Sequence, residues 1–364
     1  MGKKGLNIYR RKDGRWEGRY KDGFNENGKA KYHSVYAATY SAVKEKLLRV
    51  NTSTEQPSSV CAVTVKQIFT EWLNVKKLTV KESTIANYIF KVNKHLITSF
   101  GKLKFNELSV SLVCKFVQDK LNDGLSSKYV SDMIVILKSM AKYASKTYNC
   151  KNPICNAELP KTEKSELNLY SKEQQNRLKS ALMRNMSLTK LGILLCLYTG
   201  IRVGELCALK WSDINLHERT ISISKTCQRI RTNGDTATKL IVTSPKSRSS
   251  VRIIPIPEFI IKLLKAFAPS DENTYLLSCS DKITEPRTIQ YRFHSILRKA
   301  ELPSINFHSL RHIFATSCIE IGFDVKTLSE ILGHGTVEIT LNRYVHSSMD
   351  RKRECMERLS LNTV

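Results

Sequence analysis

Apolar and polar positions alternate early in the chain. Trp16, Gly18 and Tyr20 interleave with Glu17, Arg19 and Lys21, the two-residue period of a half-exposed strand. Asp13-Gly14 and Asn27-Gly28 mark turns between short strands. Val43, Leu47 and Val50 then fall on one side of a helix, so the first fifty residues read as a three-stranded sheet backed by one helix. A polar stretch, Asn51 to Ser59 with Pro57, reads as a linker. Beyond it the period becomes helical. Ile68, Phe69, Trp72 and Leu73 share a face, as do Ile85, Ile89, Val92 and Leu96. Leu112, Phe116 and Val117 mark a third helix, ended by Gly124, and Val130, Ile134, Leu137 and Ala141 a fourth. A second linker runs from about Ala157 to Leu169 around Pro160, and Ser171 with Gln174 forms a capping box. The chain is then helical to about Lys210. It passes through short strands near Ile221–Ile223, Leu240–Val242 and Val251–Ile256 and returns to helices. The fold class is therefore mostly α with small β-sheets in a multidomain chain: 1–55 a sheet and helix, 62–157 a helical bundle, 168–364 an α+β domain.

Length supports that division, since 364 residues exceed one ordinary core, and a hydrophobic fraction of 41% suffices to bury several. Charge adds a partner. At a formal +26 the chain repels itself unless a polyanion neutralises it, and nucleic acid is the natural candidate, with a ribosomal-type or merely soluble basic protein as the plainer alternative. The first fifty residues hold 13 Lys/Arg against 5 Asp/Glu, and a basic sheet can lay its strands in a major groove. Arg10, Arg15, Arg19 and Lys21 are the candidate DNA contacts; a merely solubilising domain is the plainer alternative. The longest apolar run, Leu191 to Tyr198, falls far short of the roughly 20 residues of a membrane helix and reads as a buried helix. Lys3 and Lys4 lead into polar sequence, so no secretory leader and no membrane are expected. The ten cysteines are scattered; Cys150 and Cys155 have no second pair at zinc spacing. No metal and no cofactor are expected, and free buried thiols in a reducing cytoplasm are.

The candidate chemistry lies in the last domain. Thr199-Gly200-Ile201-Arg202-Val203-Gly204-Glu205-Leu206 leads to Leu209-Lys210-Trp211. Lys246 follows on a hairpin, in the polar turn Ser244 to Ser250 between two strand-like runs. His308-Ser309-Leu310-Arg311-His312 comes next, then Leu332-Gly333-His334-Gly335, with Tyr344 ten residues beyond His334. Attack on a phosphodiester builds charge on the non-bridging oxygens, which two arginine forks can meet without losing their own charge. Histidines add donors near neutral pH, a lysine can protonate a leaving hydroxyl, and a tyrosine can serve as covalent nucleophile. Each residue alone has an ordinary reading: surface arginine, chance His-x-x-Arg spacing, half-buried tyrosine. Arg248 and Lys239 stand near the same turn as Lys246 and remain alternatives to it.

In this order the residues resemble the tyrosine recombinase/integrase family, through "TGIRVGELCALKW", "HSLRHIFATSCIEIG" and "LGHGTVEITLNRY". The resemblance spans the catalytic domain from about Ser171 onward. More loosely, the helical bundle resembles the core-binding domain, and the first unit the arm-binding domain of phage and conjugative-transposon integrases. It implies that Arg202 and Arg311 clamp the scissile phosphate, with His308 and His334 in support. It also implies that Lys246 protonates the leaving 5′ oxygen, that Tyr344 takes the 3′ phosphate, and that Glu205 buttresses the site. It further implies a homotetramer on paired DNA sites, a DNA-bending accessory protein, a directionality factor and integration and excision of a mobile element. Ile313 stands where the family often has threonine, with no consequence expected.

Gly23 to Lys29 fits a phosphate-binding loop in outline. Ala30 replaces the hydroxyl residue such a loop needs, and the segment reads as a hairpin turn. A type IB topoisomerase would share the chemistry without exchanging strands, and a non-catalytic DNA-binding regulator would not need Tyr344. A metal-dependent transposase would need clustered carboxylates, for which no paired Asp/Glu motif stands out.

Overall fold

The computed structural model describes residues 7–24, 30–53, 62–162, 170–232, 237–245 and 248–344, with 353, 356 and 357 beyond; at 21–24, 30–31, 49–53, 248 and 342–344 it describes the backbone alone. The chain divides into two compact units, Met1–Glu163 and Lys164–Val364.

In the first unit, β1 (Ile8–Arg10), β2 (Trp16–Phe24) and β3 (Ala30–Ala37) form an antiparallel sheet in that order. Helix α1 (Tyr40–Ser53) packs over Gly18 through Val43 and Leu47, both buried. Phe24 pairs with Ala30, so β2 and β3 make the expected hairpin, although its connection, 25–29, lies outside the described residues. Strand alternation puts Glu17 on the face away from Gly18, but Glu17 is only 3% exposed. Ser34 Oγ donates to it at 2.7 Å, Arg11 Nη1 at 3.0 Å and Arg19 Nε at 3.2 Å. Hydrogen bonds from Ser34 and Tyr9, ahead of those from Arg19 and Arg11, hold its pKa at about 2 against the opposing effect of burial.

Such a depressed carboxylate stabilises the fold fully above its ordinary pKa, and that contribution is lost as pH falls from about 4.5 through about 2. The sheet of the native chain should therefore resist urea better than Glu17→Gln near neutrality, and the difference should shrink across that window. A 5-fluorotryptophan label, read at Trp16 by 19F NMR, checks this; a gap that does not change with pH would refute it.

The helical part of this unit comprises α2 (Val65–Lys77), α3 (Glu82–Lys91), α4 (Ile97–Phe100), α5 (Val110–Asn122) and α6 (Ser127–Thr147). Thr64 and Gln67 close a reciprocal capping box at α2. Ile68, Trp72, Phe116, Val130, Ile134 and Leu137 form its core, as their spacing predicts. The stripe from Ile85 to Leu96 is not one α-helix, because Val92–Leu96 is a π-helical turn. That turn leaves Val92 and Leu96 buried and brings His95 Nε2 to 3.4 Å from the Tyr129 hydroxyl.

The second unit opens with α7 (Lys172–Met183), capped by the expected Ser171–Gln174 box. Next come α8 (Leu188–Thr199), almost wholly buried, and α9 (Val203–Ala208). Five strands follow: β4 (Ile214–Asn215), β5 (Thr220–Ile223), β6 (Thr226–Arg231), β7 (Thr238–Thr243) and β8 (Arg252–Pro255). They are followed by α10 (Glu258–Phe267), α11 (Pro286–Lys299), α12 (Ser309–Glu320), α13 (Val325–Leu332) and α14 (Val337–Tyr344).

The strands correct one expectation. The runs on either side of Lys246 do not pair: β7 pairs with β6, and β8 with β5 in a separate sheet β4-β5-β8. The β6–β7 hairpin is thus an excursion within the β5-to-β8 connection. Arg229 of β6 ties it to Glu285 at the start of α11, with Nε at 2.9 Å from Oε2. Cys196, Cys207, Cys227 and Cys318 are buried thiols whose pKa is pushed up by burial, but Cys114 and Cys155 are exposed, contrary to expectation. Ile313, buried in the core, has a packing role. No helix among the described residues is long and apolar enough to cross a membrane.

Candidate active site

Helix α8 ends at Gly200 in the left-handed conformation (φ 65°), where a Cβ would lie 2.5 Å from Phe314 and 2.8 Å from Leu332. The sharp corner that follows makes Arg202 the N-cap of α9. Its backbone N–H donates to Glu205 Oε2 at 2.9 Å, and its Nη1 donates to Glu205 Oε1 at 2.8 Å. Arg202 remains 36% exposed while Glu205 is 2% exposed, so the pair presents a guanidinium to solvent on a buried carboxylate. Burial opposes the charge of Glu205, but hydrogen bonds from Arg252 and the charges of Arg252 and Arg202 outweigh it and hold the pKa below the usual carboxylate range.

Arg311, on the first turn of α12, is 2% exposed. Its Nη1 donates to the Gly200 carbonyl at 2.8 Å and its Nη2 to the Leu332 carbonyl at 2.6 Å. These are carbonyls at the C-terminal ends of α8 and α13, which attract cations. One buried guanidinium therefore joins the corner before Arg202 to the turn before His334. His308 stands at the N-cap position of α12; the residue is exposed, and its ring lies edge-on to the buried His312 at 4.8 Å between centroids. The His334 ring shares a 2.8 Å hydrogen bond between Nδ1 and Oγ1 of Thr340, which is fully buried on α14. Arg311 thus links the corner that carries Arg202 and Glu205 to the turn that carries His334, while the His308 ring is placed against His312 one turn before it. Tyr344 closes α14, ten residues on from His334; its side chain lies outside the described residues, as does Lys246. Of the alternatives to Lys246, Lys239 lies exposed on β7 opposite Ile230, and Arg248 opens the short 3-10 turn Arg248–Ser250.

Three residues here escaped the sequence reading. Arg252 donates to both carboxylate oxygens of Glu205, and its only signal was a lone arginine inside the apolar run Val251–Ile256. His312 and Thr340 had no spacing signal of their own.

The N-terminal candidates separate. Arg10 pairs with Trp16, on the face that carries Gly18 and α1, whereas Arg19 lies on the opposite face with Glu17. Arg15 binds Asp13 in the β1–β2 turn, and the Lys21 side chain lies outside the described residues. Arg11, not singled out by pattern, shares the open face, its guanidinium 5.4 Å from the Tyr36 ring centroid.

Comparison with known proteins decides the family. Residues 159–351 match the phage integrase family, and residues 64–121 match the phage integrase N-terminal SAM-like domain. The chain belongs to the phage integrase family. As a member it is a site-specific tyrosine recombinase acting on DNA. It is 27% identical over 327 residues to a XerC-like tyrosine recombinase of Caldanaerobacter subterraneus, covering 82% of this chain and 83% of that one. The ICEBs1 integrase of Bacillus subtilis is 26% identical over 293 residues, covering 77% and 78%. In fold, this integrase-family chain resembles the Tn1549 transposon integrase solved in complex with transposon right end DNA. The TM-score is 0.69 at 22% identity, over 82% of this chain and 100% of that one.

Proposed function

We propose that the chain integrates and excises a mobile element, cutting and rejoining double-stranded DNA through a 3′-phosphotyrosine. The Tyr344 hydroxyl gives up its proton to solvent, its oxygen attacks the scissile phosphorus and the bond to the 5′ oxygen breaks. Lys246 gives the leaving oxygen its proton, while Arg202 and Arg311 neutralise the two non-bridging oxygens. His308 and His334 donate to the same phosphate, and Glu205 holds Arg202. Rejoining is the reverse attack by the 5′ hydroxyl of a partner strand, so the phosphotyrosine conserves the bond and no nucleotide is consumed.

The observation that carries this reading is the placement of Arg311, whose guanidinium is bonded at once to the corner before Arg202 and to the turn before His334. The names of relatives add the element: an integrative-element integrase of Bacillus subtilis and a transposon integrase bound to transposon end DNA. In this reading 1–55 binds arm-type DNA, with Arg10, Arg15, Arg19 and Lys21 among its contacts, 62–157 binds the core site, and 168–364 is catalytic. Four protomers assemble on paired sites in the cytoplasm, with a DNA-bending protein and a directionality factor.

Incubation with the element's two attachment sites should give joined products. Deletion of residues 1–55 should leave cleavage of a core-site suicide substrate nearly unchanged, since no proposed catalytic residue lies there. It should reduce complete recombination by about tenfold or more, because linked binding modules raise effective concentration. Full recombination by the truncated chain would exclude an arm-binding role and favour a simpler resolvase.

A further inference from the structure

Arg252 of β8, 6% exposed, divides one guanidinium among three elements. Nη2 donates to Glu205 Oε2 at 2.9 Å and Nη1 to Glu205 Oε1 at 3.2 Å, a fork on the carboxylate that also holds Arg202. Nη1 donates as well to the Ser250 carbonyl at 2.9 Å, in the short turn that follows Lys246. Nε donates to the Ile331 carbonyl at 2.6 Å, one residue before the carbonyl that Arg311 takes. Gly333 makes the approach possible: its φ is 65°, and a Cβ there would sit 3.0 Å from Arg252 Cδ and from the Ser249 carbonyl oxygen.

We propose that Arg252 is a positioning residue for strand cleavage, fixing with one side chain Glu205 and hence Arg202, the turn after Lys246, and the end of α13 from which His334 and Tyr344 follow. This rests on the reading of Arg202, Lys246, His334 and Tyr344 as members of the reacting set. A lysine cannot replace the fork, because a single ammonium lacks the planar geometry that serves a carboxylate and two carbonyls together. The groups that face Glu205 are Arg202 at the N-cap of α9, Arg252 on β8 and, as a thiol, Cys196 on α8. Without Arg252 the buried carboxylate keeps one guanidinium, itself partly exposed, and burial then raises its pKa. A protonated Glu205 no longer pairs with the charge of Arg202.

The test uses the full chain with a nicked suicide duplex of the crossover site, comparing Arg252→Met, Arg252→Lys and the double variant Glu205→Gln/Arg252→Met. In Arg252→Met, single-turnover cleavage should fall by roughly 100-fold near neutral pH while DNA affinity stays within about threefold, the signature of lost alignment. Its pH–rate profile should gain an acid limb absent from the wild type, and the double variant should lose that limb. Arg252→Lys should recover only part of the rate. In chains carrying 13C-labelled glutamate, the Glu205 carboxyl should titrate at higher pH in Arg252→Met than in the wild type, a readout independent of cleavage. Wild-type cleavage by Arg252→Met would overturn the proposal. So would a pH-independent loss tracking melting temperature in all three variants, or an unmoved Glu205 titration. If the wild type forms no adduct yet the Glu205 titration moves, the recombinase roles fall and the Arg252–Glu205 link stands.

Discussion

Arg311→Ala is expected to slow strand cleavage by at least about two orders of magnitude, the usual consequence of losing a preorganised donor to a developing oxyanion. Two effects combine in this variant. The positive charge that would meet a phosphate oxygen is removed. The hydrogen bonds to the Gly200 and Leu332 carbonyls vanish as well, so the α8–α9 corner and the end of α13 lose their common anchor. Unmaking those buried bonds should cost about 1–3 kcal/mol of stability. Arg311→Lys separates the effects: it keeps the charge, cannot span both carbonyls, and should recover only a fraction of the rate. Single-turnover cleavage beside urea melts of the same proteins gives both numbers. A near-normal rate in Arg311→Ala would remove Arg311 from the site.

Tyr344→Phe should abolish covalent adduct formation altogether and leave specific DNA affinity within about threefold of wild type. Only the hydroxyl is lost, and the basic surface that provides phosphate contacts stays intact. Gel-shift titration and a denaturing-gel adduct assay on the same protein separate binding from chemistry. Adducts persisting in the Phe variant would place the nucleophile elsewhere.

Local rules made much of this architecture legible. The helical stripes of the bundle and the Ser171–Gln174 capping box depend on spacing within a few turns, and both appear where spacing places them. The partnership of Arg202 with Glu205, also a one-turn relation, was an expectation of the family resemblance. What escaped the sequence is non-local. That β8 pairs with β5 and not β7 depends on a sheet assembled across the hairpin excursion. The bonds of Arg252 to Glu205 and Ile331 join residues 47 and 79 positions apart. The burial of Glu17 and the face of Arg10 were not legible for a related reason. Glu17 follows the alternation of an outward residue, yet Arg11 and Arg19 cover it, and Arg10 falls on the α1 side through a register that only pairing with β2 sets. The π-helical turn at Val92–Leu96 hid within an apolar stripe because it preserves burial while shifting the hydrogen-bond partner by one residue.

The most direct measurement traps the wild-type chain on a nicked suicide duplex of its crossover site, digests the adduct and locates the nucleotide by mass spectrometry. The expected result is a single DNA 3′-phosphate esterified to the oxygen of Tyr344, formed equally well with EDTA present. A 5′-linked adduct, an adduct on another residue, or cleavage that requires Mg²⁺ and leaves no protein on the DNA would contradict it.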